Sequence, residues 1–169
     1  LAGQAPPAAE TKVFGCSTKW PHKVGANEAY NARIAAEPVV VEAADAAALA
    51  ELLKNDSGKV RLIHVWSPAD ASQIPALVLM HHMYRRRNFQ LVLVAVGPAD
   101  SKEAVLAALK KQPPAASNRN LLVADPAPLE PGTLLIGAGN EVLLRKPGAL
   151  DLLELRRTIV RNLKEDRLR

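Results

Sequence analysis

Short, unbroken apolar runs mark the predicted strands of this chain. Residues 60–66 (VRLIHVW) and 89–96 (FQLVLVAV) are continuous runs, which predicts strands buried on both faces of a sheet. Residues 120–125 (NLLVAD) predict a shorter strand, and the run that begins at Val39 predicts a short edge strand. Two apolar runs surround a Gly/Asn turn within residues 133–145, and this arrangement predicts a β-hairpin.

Apolar residues at helical spacing mark the segments between these strands. In residues 44–56, Ala47, Leu49, Leu52 and Leu53 share one predicted helical face. Three further helices are predicted, from residue 70 or 72 to about 87, over 101–112 and over 151–163. Elements in this order predict an α/β fold with a mixed central sheet and helices on both faces.

The turn after residues 60–66 collects several polar side chains. Asp70 or Ser72 is predicted to cap the following helix. Pro75 lies near the first turn of that helix, where a missing backbone donor costs least. Strand-to-helix turns at the carboxyl edge of a sheet are where many α/β proteins hold their chemistry, so Trp66, Ser67, Asp70 and Ser72 are candidate site residues.

Residues 1–37 differ from the rest of the chain because they lack a clear hydrophobic period. They are predicted to form an extended arm or linker with one short helix over residues 27–36, while residues 38–169 form the domain. The start of the arm is rich in Ala, Gly and Pro and is compatible with the remains of a signal-peptide cleavage region.

Composition bounds the class of protein. The 169 residues are 49% hydrophobic and 23% charged, which is typical of a soluble domain with a sizeable core. No apolar run reaches about 18 residues, so no membrane span is predicted in this chain. The net charge is +5, and residues 145–169 contribute most of it. A solvated amphipathic helix explains that basic end, although an anionic partner is an alternative.

Other candidate chemistry has simpler explanations. Ser67 and Ser72 lack a neighbouring histidine in sequence and the G-x-S-x-G pattern, so they are predicted to form a turn or a cap. His81 and His82 point about 100° apart on a helix and lack the i, i+4 spacing of helical metal ligands, so no metal site is predicted. His64 is predicted to be a buried, hydrogen-bonded strand residue. The glycines of GAGN (137–140) serve the hairpin, so no nucleotide cofactor is expected.

The order of elements resembles the thioredoxin fold, a three-layer sandwich around a mixed sheet. The strand ending in Trp66 resembles the strand that leads into W-C-x-x-C in exported bacterial redoxin-type thiol-disulfide oxidoreductases. Residues 83–96 resemble the next helix end and strand. Residues 130–163 resemble the cis-proline loop, the hairpin and the last helix. The resemblance implies that Pro131 is the cis-proline.

The chain departs from that family at the residues that carry the reaction. The family's first cysteine attacks a substrate disulfide as a thiolate, but here Trp66 is followed by SPADASQIP, and Cys16 is the only cysteine in the chain. The turn after Trp66 and the segment 124–130 (ADPAPLE) are both shorter than their family counterparts. The resemblance therefore implies a retained scaffold with a vestigial redox site.

Two functions follow from this resemblance. The first is a redox-inactive thioredoxin-like domain that binds a protein partner, in part through the N-terminal arm, or serves as a subunit of a larger exported or periplasmic assembly. The alternative is a thiol-disulfide oxidoreductase or peroxidase-type protein that uses Cys16 or a cysteine in a neighbouring domain. No nucleic-acid partner is expected, because the basic residues lack interleaved aromatic side chains. A membrane-associated assembly and a cytoplasmic location stay open.

Overall fold

The computed structural model describes residues 21–111 and 118–163. Six strands form one sheet, and five helices connect or flank them. The strands are β1 (Glu42–Ala43), β2 (Val60–Trp66), β3 (Phe89–Val96), β4 (Arg119–Val123), β5 (Gly132–Ile136) and β6 (Val142–Lys146). The helices are α1 (Pro21–Ala36), α2 (Ala46–Leu53), α3 (Ile74–Tyr84), α4 (Lys102–Lys110) and α5 (Leu152–Asn162).

The sheet is mixed and has the strand order β1-β4-β3-β2-β5-β6. The first four strands of this order run parallel to their neighbours. Helical crossovers through α3 and α4 join β2 to β3 and β3 to β4, as parallel pairs require. β5 pairs antiparallel with both β2 and β6, which places the predicted hairpin at one edge of the sheet. The central strands β2 and β3 are therefore covered on both sides and carry the continuous apolar runs.

Alternate residues of the central strands supply two separate cores. Leu62 of β2 joins the cluster that packs against α3, α4 and α5, whereas its neighbour Ile63 joins the cluster that packs against α2. Leu49 and Leu52 are the buried residues of α2, and Asp45 caps that helix by accepting a hydrogen bond from the Ala48 amide at 2.8 Å. Helices thus cover both faces of the sheet, as predicted from the order of elements.

One buried asparagine ties the α2–β2 loop to the hairpin. The Nδ2 of Asn55 donates to the carbonyls of Lys59 and Gly137, each at 2.7 Å. The backbone amide of Asn55 donates to Oδ1 of Asn140 at 2.9 Å. Asn140 has a φ of 69°, a left-handed conformation that asparagine tolerates better than most residues. This cross-link fixes the position of the hairpin against the rest of the sheet.

Several sequence expectations need correction in detail. The edge strand is only two residues long, and Ala47 is exposed, so the buried face of α2 does not include it. α1 begins at Pro21 and not at residue 27. Neither Asp70 nor Ser72 caps α3, because Gln73 occupies the N-cap position and makes no side-chain capping bond.

No helix among the described residues is both long enough and apolar enough to cross a bilayer.

Candidate functional site

The carboxyl ends of β2 and β3 border a cavity of about 530 Å³. The structure brings together here the candidate residues of the turn with Pro131, and all of them line the cavity: Trp66, Ser67, Asp70, Ser72 and Pro131. Its volume lies within the range of about 300–1,000 Å³ that is usual for ligand sites. Cys16, the remaining candidate, lies outside the described residues.

A tight turn from Ser67 to Asp70 contributes both of these residues to the cavity lining. The Asp70 amide donates to the Ser67 carbonyl at 3.0 Å and closes the turn over Pro68. The Asp70 carboxylate then accepts from the hydroxyl of Ser72 at 2.7 Å and from its amide at 3.3 Å. These hydrogen bonds from Ser72 lower the pKa of Asp70 below its ordinary value. Because the Ser72 hydroxyl donates to a carboxylate, it serves the turn and not a nucleophilic pair.

His64 is a neutral, buried part of the cavity wall. Its side chain is 4% exposed, and its Nδ1 lies 2.9 Å from Oγ1 of Thr133 on the neighbouring strand. Burial lowers the pKa of His64 to about 4, although the charge of Asp70 and a hydrogen bond with the Gly132 backbone both act to raise it. At neutral pH the imidazole is uncharged, so the only formal charge on the cavity residues named above is that of Asp70.

The position of the cis peptide bond corrects the prediction for Pro131. The cis bond joins Ala127 to Pro128, three residues upstream. There the Leu129 amide donates to the Pro126 carbonyl at 2.8 Å, the closing bond of a turn with cis-proline at its third position. Both bonds are X-Pro bonds, and their isomers are set by tertiary context that the sequence alone does not show.

Gly132 follows Pro131 and begins β5 at the cavity edge. Its φ is +127°, and a Cβ built on it would collide with the carbonyl oxygen of Lys146. A residue without a side chain is therefore required at this position. The glycine therefore allows the start of β5 to lie close to the main chain of Lys146 and Pro147, and both Pro131 and Gly132 line the cavity.

Sequence reasoning missed one polar residue that lines the cavity and one that contacts its wall. Gln73 lines it and donates through Nε2 to the Gly148 carbonyl at 3.4 Å, while its buried Oε1 has no partner among the described residues. Thr133, the partner of His64, was also missed, since it lies 69 positions further along the chain. The pairing of β2 with β5 is what brings Thr133 and His64 together, and no local pattern signals it.

The described histidines do not lie together in one candidate site. Within residues 21–111 and 118–163, no group of three or more His, Cys, Asp and Glu side chains is placed to hold a metal ion. His64 and His81 do not share a site: one borders this cavity, and the other contacts Phe89 at the opposite end of the sheet.

Solved structures identify the architecture. A protein from Neisseria meningitidis assigned as a thioredoxin matches with 25% identity and a TM-score of 0.52, over 68% of this chain and 81% of that one. A thiol:disulfide interchange protein of the thioredoxin family from Chlorobium tepidum matches with 19% identity and a TM-score of 0.51, over 68% and 84%. The chain has a thioredoxin-like fold.

This thioredoxin-like domain also resembles a secreted disulfide oxidoreductase of Mycobacterium tuberculosis that is homologous to DsbE of Escherichia coli. The identity is 18% and the TM-score is 0.51, over 64% of this chain and 85% of that one. No family model and no curated protein matches the domain. With one cysteine in its sequence, the chain contains no Cys-x-x-Cys motif. The fold resembles that of thiol-disulfide exchange proteins, and the paired thiols are missing.

Proposed function

We propose that this thioredoxin-like domain does not exchange disulfides and instead binds a protein partner at the cavity beyond β2 and β3. The observation that carries the proposal is the composition of the cavity wall. Trp66 ends β2, and Ser67, Asp70 and Ser72 follow it, where the related oxidoreductases have their thiols. None of the lining residues that the structure describes is a cysteine. A cavity of this size without the reacting groups supports binding without electron transfer.

The chemistry of the wall favours a peptide as the occupant. Trp66 and Val96 offer apolar surface, and Gln73 and Asp70 offer hydrogen-bonding groups. Pro131 and Gly132 also line the cavity, so an extended segment bound there lies against the start of β5. Polar groups can fix the orientation of such a segment, while the apolar surface accepts its side chains.

A peptide selection with matched variants tests the proposal. Ala149 is exposed and lines the cavity, whereas Ala50 is exposed on α2, outside it. Peptides selected from a random phage-displayed library on the wild-type domain should lose binding to Ala149→Trp, because the indole fills the cavity. The same peptides should bind Ala50→Trp unchanged. Selected peptides that bind Ala149→Trp as well as wild type would contradict the proposal.

The resemblance to oxidoreductases favours a second candidate, redox activity through Cys16 or through a cysteine of a neighbouring domain. Reaction of the Cys16 thiol with oxidised glutathione measures it, since a redox thiol forms the mixed disulfide much faster than an ordinary one. A rate equal to that of free cysteine at the same pH argues against this candidate. A rate tenfold or more higher, lost in Cys16→Ser, argues for it.

An exported assembly is the setting that we infer for the domain. One structural neighbour is a secreted protein, which supports an exported location. We assign residues 1–37 the role of an arm that contributes to partner binding and residues 38–169 the role of the binding domain. Deletion of residues 1–20 should weaken capture of the native partner without loss of the folded domain. If the shortened chain captures the native partner as well as the full chain does, the arm does not contribute to partner binding.

A further inference from the structure

Three arginine side chains converge on one tyrosine at the end of the sheet opposite the cavity. The guanidinium carbons of Arg33 and Arg85 each lie 5.4 Å from the centre of the Tyr30 ring, and that of Arg86 lies 6.0 Å from it. Arg33 and Tyr30 belong to α1, whereas Arg85 and Arg86 follow the last turn of α3. We call these three residues the arginine cluster.

The arginine cluster has no anionic counterpart in the described part of the chain. None of the ion pairs formed within residues 21–111 and 118–163 includes Arg33, Arg85 or Arg86. The Tyr30 ring attracts each cation but carries no net charge, so repulsion between the guanidinium groups is not neutralised. Three unpaired cations drawn to one centre form a region of strong positive potential that attracts an anion.

A cavity beside the arginine cluster offers space for an anion. Arg85 and Arg86 line a cavity of about 440 Å³ together with Lys59, Gln90, His81 and Phe89. Lys59 brings a further cation, and it too lacks an ion-pair partner among the described residues. Burial lowers the pKa of His81 to about 4, so this imidazole adds no charge at neutral pH.

The number of cations selects the class of anion. A phosphate monoester carries a charge of about −1.5 to −2 at pH 7, and it offers three acceptor oxygens. Guanidinium groups bind such oxygens through paired N–H donors. A carboxylate offers one charge and two oxygens, and nucleic-acid phosphates are singly charged diesters. Among the residues that the structure describes, no base-stacking platform accompanies the cluster, since Phe89 is 2% exposed and cations already lie near the Tyr30 ring.

We propose that Arg85, Arg86 and Lys59, with Arg33 beside them, form a binding site for a phosphate monoester. The phosphorylated side chain of a peptide supplies this group, since Lys59, Arg85 and Arg86 line a cavity that a single projecting side chain can enter. This site is separate from the peptide cavity, and either proposal can fail without the other.

Calorimetric titration with blocked Gly-phosphoserine-Gly at low ionic strength tests the site. The double variant Arg85→Ala/Arg86→Ala should bind at least about tenfold more weakly than wild type, since it removes both guanidinium groups that line the cavity. Arg157→Ala/Arg161→Ala removes the same charge from exposed positions of α5 and should stay within twofold of wild type. Arg85→Lys/Arg86→Lys keeps the charge without the paired donors and should give an intermediate affinity.

Vesicles of phosphatidylcholine, with and without phosphatidic acid, distinguish the source of the phosphate. Binding of the peptide, with loss in Arg85→Ala/Arg86→Ala alone, supports the proposal. Absence of peptide binding overturns it, whether or not the phosphatidic-acid vesicles bind, and so does equal weakening in the two double alanine variants. A duplex DNA oligonucleotide that binds the wild type more tightly than either probe also overturns it.

Discussion

Single residues determine the chemistry of the cavity at the carboxyl ends of β2 and β3. His64 lies on a central strand, and its pairing with Thr133 at 2.9 Å satisfies one ring nitrogen inside the wall. Burial then keeps the ring neutral, with a pKa lowered to about 4. Without this pairing a buried imidazole would leave a polar atom unsatisfied, which costs about 1–3 kcal/mol. The sequence predicted a buried histidine here, but its partner depends on the β2–β5 register.

The lowered histidine pKa values predict that the domain loses stability in mild acid. The pKa values of His64 and His81 are both lowered to about 4 in the folded chain, while unfolded histidine titrates near 6.5. Between these values the unfolded chain binds protons that the folded chain does not, so the free energy of unfolding falls as pH falls from about 6.5 to 4. At pH 5 the loss is about 2 kcal/mol for each imidazole.

Urea unfolding at pH 7 and pH 5 measures this effect. In His64→Gln the difference between the two pH values should shrink by about half, because glutamine does not titrate. An unchanged difference would show that the His64 ring titrates normally in the folded domain.

Asn55 carries a second residue-scale prediction. Replacement by alanine leaves the Lys59 and Gly137 carbonyls without their donor, so Asn55→Ala should lower the free energy of unfolding by about 2–3 kcal/mol. Ser57→Ala serves as the control, since it removes the hydroxyl that donates to Asn55 and accepts a long hydrogen bond from the exposed Lys59 amide, and it should cost less than about 1 kcal/mol. Equal losses in the two variants would contradict the cross-linking role of Asn55.

At the scale of elements, the hydrophobic pattern and helix capping explain most of the strands and helices that form. The runs at β2 and β3 predicted central strands because both faces of each strand are covered, and the hairpin followed from its Gly/Asn turn. The start of α3 was predicted less well. Aspartate is a common N-cap residue, but the Asp70 carboxylate instead accepts a hydrogen bond from the Ser72 hydroxyl in the turn that precedes α3. Local propensity alone does not choose between these two hydrogen-bonding patterns.

The cap of α2 gives a prediction for an element. Asp45 accepts the Ala48 amide at the first turn of an eight-residue helix, and so short a helix depends on its cap. Asp45→Ala should reduce the free energy of unfolding by about 1 kcal/mol, while Asp45→Asn should stay near wild type. Thermal unfolding at pH 7 compares them. If the alanine and asparagine variants unfold at the same temperature, the side-chain cap does not stabilise the domain.

At the scale of the whole molecule, topology creates both proposed sites. The cavity combines β2 and β3 ends with loops from two other parts of the chain, including Pro131 and Gly148. The arginine cluster combines α1 with the end of α3. The sequence located the turn at Trp66, because that turn is a local feature. It could not show the cavity or the convergence on Tyr30, since these depend on which elements become neighbours.

The central claim is that this thioredoxin-like domain does not transfer electrons through sulfur. Reduction of insulin in the presence of dithiothreitol, followed by turbidity, tests it most directly. The account predicts that wild type and Cys16→Ser both leave the rate at the background of dithiothreitol alone. Faster insulin reduction by wild type that disappears in Cys16→Ser would contradict it.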